Sequence, residues 1–252
     1  LWDSKMEMAK IGPGVAGELS GGQQQRVSLG RALIREPAAF ILDEVMSHLD
    51  AHLKFQMLFE LKRVHQSIGK TTVYVTHDQM EALALADKVA VMTDGVLQQY
   101  GTRDDLYHRP ANRFVADFIG EPPTNFMMGD VVSAGDALHL RARASGLVFH
   151  IDDDRTRALQ QRRIQQVLIG IRPQNLRPAN GQERQNVERV DVELLINEYL
   201  GEQSILTCAN GETPLRALAP PDVAYRRGER IALHYEKRDV MLFDPESEVF
   251  LG

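Results

Sequence analysis

The apolar pattern of this 252-residue chain changes period once, near Pro122-Pro123, and the change limits it to two architectures joined end to end. Before that point, short apolar runs alternate with helical stretches. Ser20 is followed three residues later by Gln23, a capping-box spacing that starts a helix, and Val27, Leu33 and Ile34 then recur until Pro37 stops it. Residues 38–42 are a continuous apolar run and read as a buried strand. Residues 53–68 place Leu53, Met57, Leu58, Leu61, Val64 and Ile68 on one side of a helix that Gly69 ends. Residues 71–76 are β-branched and aromatic, a second strand. Residues 78–86 predict a helix and 88–92 a third strand, and Asp94-Gly95 predicts a turn into a short strand ending near Tyr100. Strand, helix, strand, helix, strand predicts a parallel sheet with helices over its faces.

After Pro122-Pro123 the runs are short, β-branched and separated by Gly, Pro, Asn and Asp. They cover residues 138–144, 147–151, 167–171, 190–196, 204–207, 231–235 and 240–243, and they predict a small barrel or sandwich. The basic stretch with Arg155, Arg157, Arg162 and Arg163 reads as a solvated helix or loop.

Composition removes several classes of function. At 43% hydrophobic and 25% charged residues the chain is not broadly disordered. Its net charge of −6 argues against sequence-independent DNA binding, which draws on Lys and Arg. Cys208 is the single cysteine, so no internal disulfide forms and a reducing compartment is expected. No apolar run approaches the ~18 residues that span a bilayer, and no signal peptide is visible. The first residue is Leu1 rather than Met, which reads as a fragment or a processed start.

Three groups of residues carry chemistry. Ser20-Gly21-Gly22-Gln23 puts a hydroxyl and two glycines at a helix start, where unpaired N–H groups and a partial positive charge suit an anion. Asp43-Glu44 closes the first apolar strand, at the strand end where open α/β sheets bind ligands. Asp43 offers the hard oxygen that magnesium prefers, and Glu44 could take a proton from an attacking water. Thr76-His77-Asp78 follows the next strand, and a neutral imidazole there could contact a terminal phosphate or hold that water.

In this order, LSGGQQQR at 19–26, FILDEVMSHLD at 40–50 and YVTHDQME at 74–81 closely resemble the nucleotide-binding subunits of ABC transporters. The three stretches look like that family's signature loop, Walker B strand with D-loop, and switch histidine. The resemblance implies that Ser20, Gly21, Gly22 and Gln23 touch ATP held by a second ATPase subunit in a dimer. It implies Asp43 as the magnesium-side acid (Mg2+), Glu44 as general base, His77 as the γ-phosphate switch and Asp50 as the dimer-coupling acid. Arg109-Pro110-Ala111-Asn112-Arg113-Phe114-Val115-Ala116 and Phe118-Ile119-Gly120 look like the segment closing the ATPase domain of sugar-importer subunits. Gly170-Ile171-Arg172-Pro173, Tyr199-Leu200-Gly201 and Leu242-Phe243-Asp244 resemble their C-terminal OB-like regulatory domain. The implied layout is the C-terminal part of an ABC ATPase domain over residues 1–120, a partial P-loop NTPase-type α/β sheet, then an all-β TOBE-type domain over 121–252. The implied role is to energise an importer of sugars or related solutes from the cytoplasmic face of the membrane, docked on permease subunits.

This sequence departs from the family in one major respect. A P-loop reads G-x-x-x-x-G-K-[ST], and its amides and Lys cradle phosphate. The chain's Gly69-Lys70-Thr71 is a decoy, because Val64 occupies the first glycine position and a helix precedes it. Residues 1–16 do not match the helical run expected before the signature. Val45 stands where the family commonly has Pro, and His48 lies in the D-loop. The expectation is an ATPase subunit present without its nucleotide-cradling part, inactive as this chain alone. The alternative is a non-catalytic regulatory or interaction protein whose live part is the β domain.

Overall fold

The structure, a computed structural model, describes residues 37–47, 49–134, 137–179, 187–211 and 213–252. The chain forms two compact units, Leu1–Val89 and Ala90–Gly252.

In the first unit, β1 (Ala39–Asp43), α1 (Ala51–Ile68), β2 (Thr71–Val75) and α2 (Gln79–Leu85) follow one another in strand–helix order. β1 and β2 pair in parallel, from Ala39 opposite Thr71 to Asp43 opposite Val75. Phe40 and Leu42 point from β1 into a core completed by Met46, by Met57, Leu61 and Val64 of α1, and by Leu85 of α2. The helix boundaries follow local chemistry. Asp50 caps α1 by accepting from Leu53 N, and Gly69 ends it at φ 62, in the left-handed region that glycine enters at no steric cost. Asp78 caps α2 by accepting from Met80 N and Glu81 N. The buried strand expected at 38–42 is buried on one face: Phe40 and Leu42 are covered, whereas Ile41 is 79% exposed, and Val73 and Val75 are exposed beside it. Strand side chains alternate between faces, and the helical cover lies against one of them.

The expected third parallel strand is corrected. β3 (Val89–Thr93) pairs with β4 (Val96–Gly101) in a separate two-stranded sheet. The two-residue connection Asp94-Gly95 has φ of 50 and 76, a turn geometry that folds a strand back on its neighbour.

The second unit continues with two short helices, α3 (Arg103–His108) and α4 (Arg113–Phe118). Thr102 and Asp105 form a capping box at the start of α3, and Asn112 caps α4. Then come β5 (Asn125–Ala134), β6 (Ala137–Ala142), β7 (Val148–His150), α5 (Asp153–Arg162), β8 (Gln166–Ile171), β9 (Arg177–Pro178), β10 (Glu188–Tyr199), β11 (Ser204–Ala209), β12 (Pro214–Ala219), β13 (Arg230–Tyr235) and β14 (Val240–Phe243). They form two five-stranded sheets, in the orders β14-β8-β5-β6-β7 and β12-β11-β10-β13-β9. One core joins both, with Leu140, Phe149 and Ile169 from the first sheet and Leu194, Leu206 and Leu233 from the second. The seven expected runs are all strands. The basic stretch lies largely on α5, where Arg155 pairs with Asp152 and Arg157 with Asp154 while Leu159 is buried.

Arg172 fastens α3 and α4 to this β core. It is 2% exposed and donates to the carbonyl oxygens of Ala116, Ile119 and Tyr107. Its guanidinium also lies 4.1 Å from the centre of the Tyr107 ring. Burial pulls its pKa down to about 10, which leaves it charged at neutral pH. The composition boundary near Glu121 therefore falls inside the second compact unit.

Candidate functional site

Parallel pairing sets the site. Asp43 stands opposite Val75 at the carboxyl ends of β1 and β2, so Asp43-Glu44 and Thr76-His77 leave the sheet side by side. Glu44 N donates to Val75 O at 2.9 Å, one ladder bond beyond the strands. Glu44 then turns at φ 44, a region non-glycine residues rarely enter. Ser47 Oγ donates to Glu44 O at 3.0 Å and tightens that turn. The result brings Glu44 Oε1 to 3.1 Å from His77 Nδ1. Both side chains are open to solvent, Glu44 at 50% and His77 at 71% exposure.

The structure thus brings Glu44 and His77 together and puts Asp43 on the same strand end, exposed. Asp50 lies apart from the pair in role: its Oδ1 accepts from Leu53 N at 2.9 Å as the cap of α1. Ser20, Gly21, Gly22 and Gln23 lie outside the described residues. Among the described residues there is no group of three or more His, Cys, Asp or Glu able to hold a metal ion. Magnesium, however, is commonly held by one or two carboxylates with waters and substrate phosphates, and the exposed Asp43 carboxylate fits that donor set.

The sequence did not announce the polar cluster behind His77. Glu81 of α2 is 3% exposed, and Lys54 of α1 reaches its Oε1 at 2.8 Å. Its Oε2 accepts from Tyr74 Oη at 2.6 Å and Thr76 Oγ1 at 2.7 Å. Lys54 also donates to Asp78 Oδ2, and Asp78 N donates to Thr76 Oγ1 at 3.0 Å. Burial alone would push the Glu81 and Asp78 carboxyls up, but the bonds from Lys54 and their other donors outweigh it and hold both below their usual range. The same bonds hold Lys54 above its ordinary value. Burial, reinforced by Glu81, pushes the Tyr74 phenol well above its usual range. The sequence signal was slight: Asp78 and Glu81 share a helix face at i, i+3, and Lys54 stands among the apolar positions of α1.

Residues 3–47 match the ABC transporter family, and residues 169–243 match the TOBE domain. The sulfoquinovosyl glycerol transport ATP-binding protein SmoE of Agrobacterium fabrum is 38% identical over 232 residues, covering 92% of this chain. The chain is homologous to the ATP-binding subunits of ABC transporters. The sn-glycerol-3-phosphate import ATP-binding protein UgpC of Yersinia enterocolitica is 38% identical over 230 residues, 91% of this chain. The uncharacterized ABC transporter ATP-binding protein YurJ of Bacillus subtilis is 36% identical over 234 residues, also 91% of this chain. The chain spans 62% of SmoE, 62% of UgpC and 63% of YurJ. The ABC transporter match falls before Pro122-Pro123 and the TOBE match after it, in the order expected for an α/β ATPase part followed by a β-rich part.

Proposed function

We propose that this chain serves as the ATP-binding subunit, or part of one, that energises an ABC importer. The observation that carries the reading is the Glu44–His77 contact at the carboxyl ends of two parallel strands. In this reading Glu44 accepts the proton of the attacking water. Its exposure leaves room for that water, and its charge raises the water's nucleophilicity as the proton leaves. His77 stands within hydrogen-bond reach of the base and orients the water against the terminal phosphate. Asp43 holds a magnesium ion, which when bound neutralises charge on the phosphates. Ser20, Gly21, Gly22 and Gln23 contact ATP carried by a second ATPase subunit, and Asp50 couples the two subunits.

SmoE and UgpC are described as serving sulfoquinovosyl glycerol transport and sn-glycerol-3-phosphate import. Their likeness supports sugars or related solutes as the cargo class, with membrane permease subunits as partners on the cytoplasmic side. Among the described residues no helix is long and apolar enough to cross a membrane. The two-domain division near Glu121 belongs to the same reading.

These 252 residues contain no P-loop. As this polypeptide alone, the chain is expected to bind ATP weakly and not to turn it over, checked by calorimetric titration and phosphate release. Micromolar affinity with magnesium-dependent hydrolysis would refute that. Fused to a P-loop-bearing segment, it should hydrolyse ATP, and Glu44→Gln should slow hydrolysis by ~10²–10⁴-fold. Hydrolysis indifferent to Glu44→Gln would remove Glu44 as the base.

A further inference from the structure

The Lys54–Glu81 cluster has more polar bonding than packing requires. α1 and α2 already share the apolar core through Met57, Leu61 and Leu85. A buried ion pair seldom stabilises a fold better than well-packed apolar residues would. What distinguishes this one is where its bonds end. Glu81 accepts from Thr76, the residue before His77, and Lys54 binds Asp78, the residue after it. Thr76 and Asp78 are joined by the Asp78 N–Thr76 Oγ1 bond. His77 is therefore the exposed apex of a loop whose two shoulders are held by one charge cluster. Lys54 lies one turn along α1 from Asp50, so the same helix that Asp50 caps also holds the loop.

We infer that Lys54 and Glu81 are positioning residues: the bridge between them clamps Thr76 and Asp78 so that the His77 ring stays against Glu44. This rests on the reading of Glu44 and His77 as the reacting pair, but its test uses no nucleotide. The experiment is NMR of the 252-residue chain with labelled histidine, the His77 ring signal being assigned by its loss in His77→Gln. Glu44→Gln supplies the reference position for a ring that has lost its contact. Lys54→Met and Glu81→Gln should each move the His77 signal at least half of the way to that reference and broaden it. Lys54→Arg, which keeps the charge and can bind both carboxylates, should restore the wild-type position. Glu60→Gln, at an exposed ion pair on α1, should leave it unmoved.

The inference is overturned if Lys54→Met lowers the melting temperature yet leaves the His77 signal in place, since the cluster would then be structural only. It is also overturned if Lys54→Arg fails to restore the signal, or if Glu44→Gln itself does not move it. Should Glu81→Gln not fold, the Lys54→Met and Lys54→Arg pair decides alone, because Lys54 is partly exposed. Failure of the ATPase reading would show instead in the hydrolysis assay with Glu44→Gln, with the ring signals unaffected.

Discussion

The first unit shelters one face of two strands under α1 and α2, and the second closes two five-stranded sheets over a shared core. Polar groups are used differently in each. Near β2 the buried Glu81 joins the partly exposed Lys54 and Asp78 in a cluster whose bonds converge on an exposed loop. In the second unit Arg172 has backbone carbonyls as partners and joins helices to sheets. One arrangement directs a side chain outward, and the other seals an interior. A domain can therefore place buried charge where chemistry needs direction or where helix ends need closure, and the partner set tells which.

The largest effect is expected at Arg172. Arg172→Ala takes a donor from three carbonyls; Ala116 O keeps Thr124 Oγ1, while the Ile119 and Tyr107 carbonyls lose theirs at about 1–3 kcal/mol each, so a loss of about 2–5 kcal/mol is expected. Urea unfolding should show it in the transition of the β unit. A change confined to the first unit would break the comparison. In the same vein, a fragment from Thr124 to Gly252 lacks Tyr107, Ala116 and Ile119 and should melt below one that starts at Ala90.

Next comes acid. Asp78 and Glu81 hold protons less readily in the fold than in the unfolded chain. Their contribution is complete above their ordinary values of 3.8 and 4.5 and is lost as pH falls through their lower folded values. Lys54 runs the other way: its contribution is complete below 10.5 and fades as pH rises through its higher folded value. Glu81→Gln should lower the first unit's stability by about 1–3 kcal/mol near neutrality and flatten its acid dependence between about pH 5 and 3. Unchanged acid dependence would show that the cluster carries no linked charge.

Much of the fold is legible in the sequence where local chemistry decides it. Gly69 and Asp78 mark helix ends because a positive φ or a cap needs those residue types. The β-branched runs mark strands because turns bracket them. β5 escaped notice because Gly129 and Asp130 interrupt its apolar alternation. The structure explains the glycine: a Cβ at position 129 would sit 2.4 Å from Ile169 Cδ1. The Asp94-Gly95 turn that joins β3 to β4 was legible, whereas the placing of β3 in a sheet separate from β1 and β2 was hidden because sheet membership depends on partners far along the chain. At the site, Asp43, Glu44 and His77 were legible from strand ends and residue type. Glu81 was not, since a glutamate in a helix reads as solvated until its neighbours are in place.

Accessibility sharpens the comparison further. Cys208 lies in the shared β core, and burial pushes its thiol up to about 12. It should resist thiol reagents in the native chain, whereas a cysteine placed by Val73→Cys, on the exposed face of β2, should react promptly. Equal rates at the two positions, read by mass spectrometry, would mean the β core opens as freely as that face. The smallest effect is expected at Ile41. Ile41→Ser should change stability by no more than about 0.5 kcal/mol, as at other exposed sites. Leu140→Ala, in the β core, should cost about 2–5 kcal/mol. A large cost at Ile41 would show that its face is covered in solution.

The left-handed turn at Glu44 has a consequence for how this chain can change over generations. Its backbone angle is one that glycine or asparagine adopts with less strain. A library selected only for thermal resistance should therefore enrich for those residues at position 44 and discard the carboxylate. A library selected for turnover should keep glutamate against that drift. Comparing the survivors of the two selections would separate, at one codon, what the polypeptide prefers from what its chemistry demands.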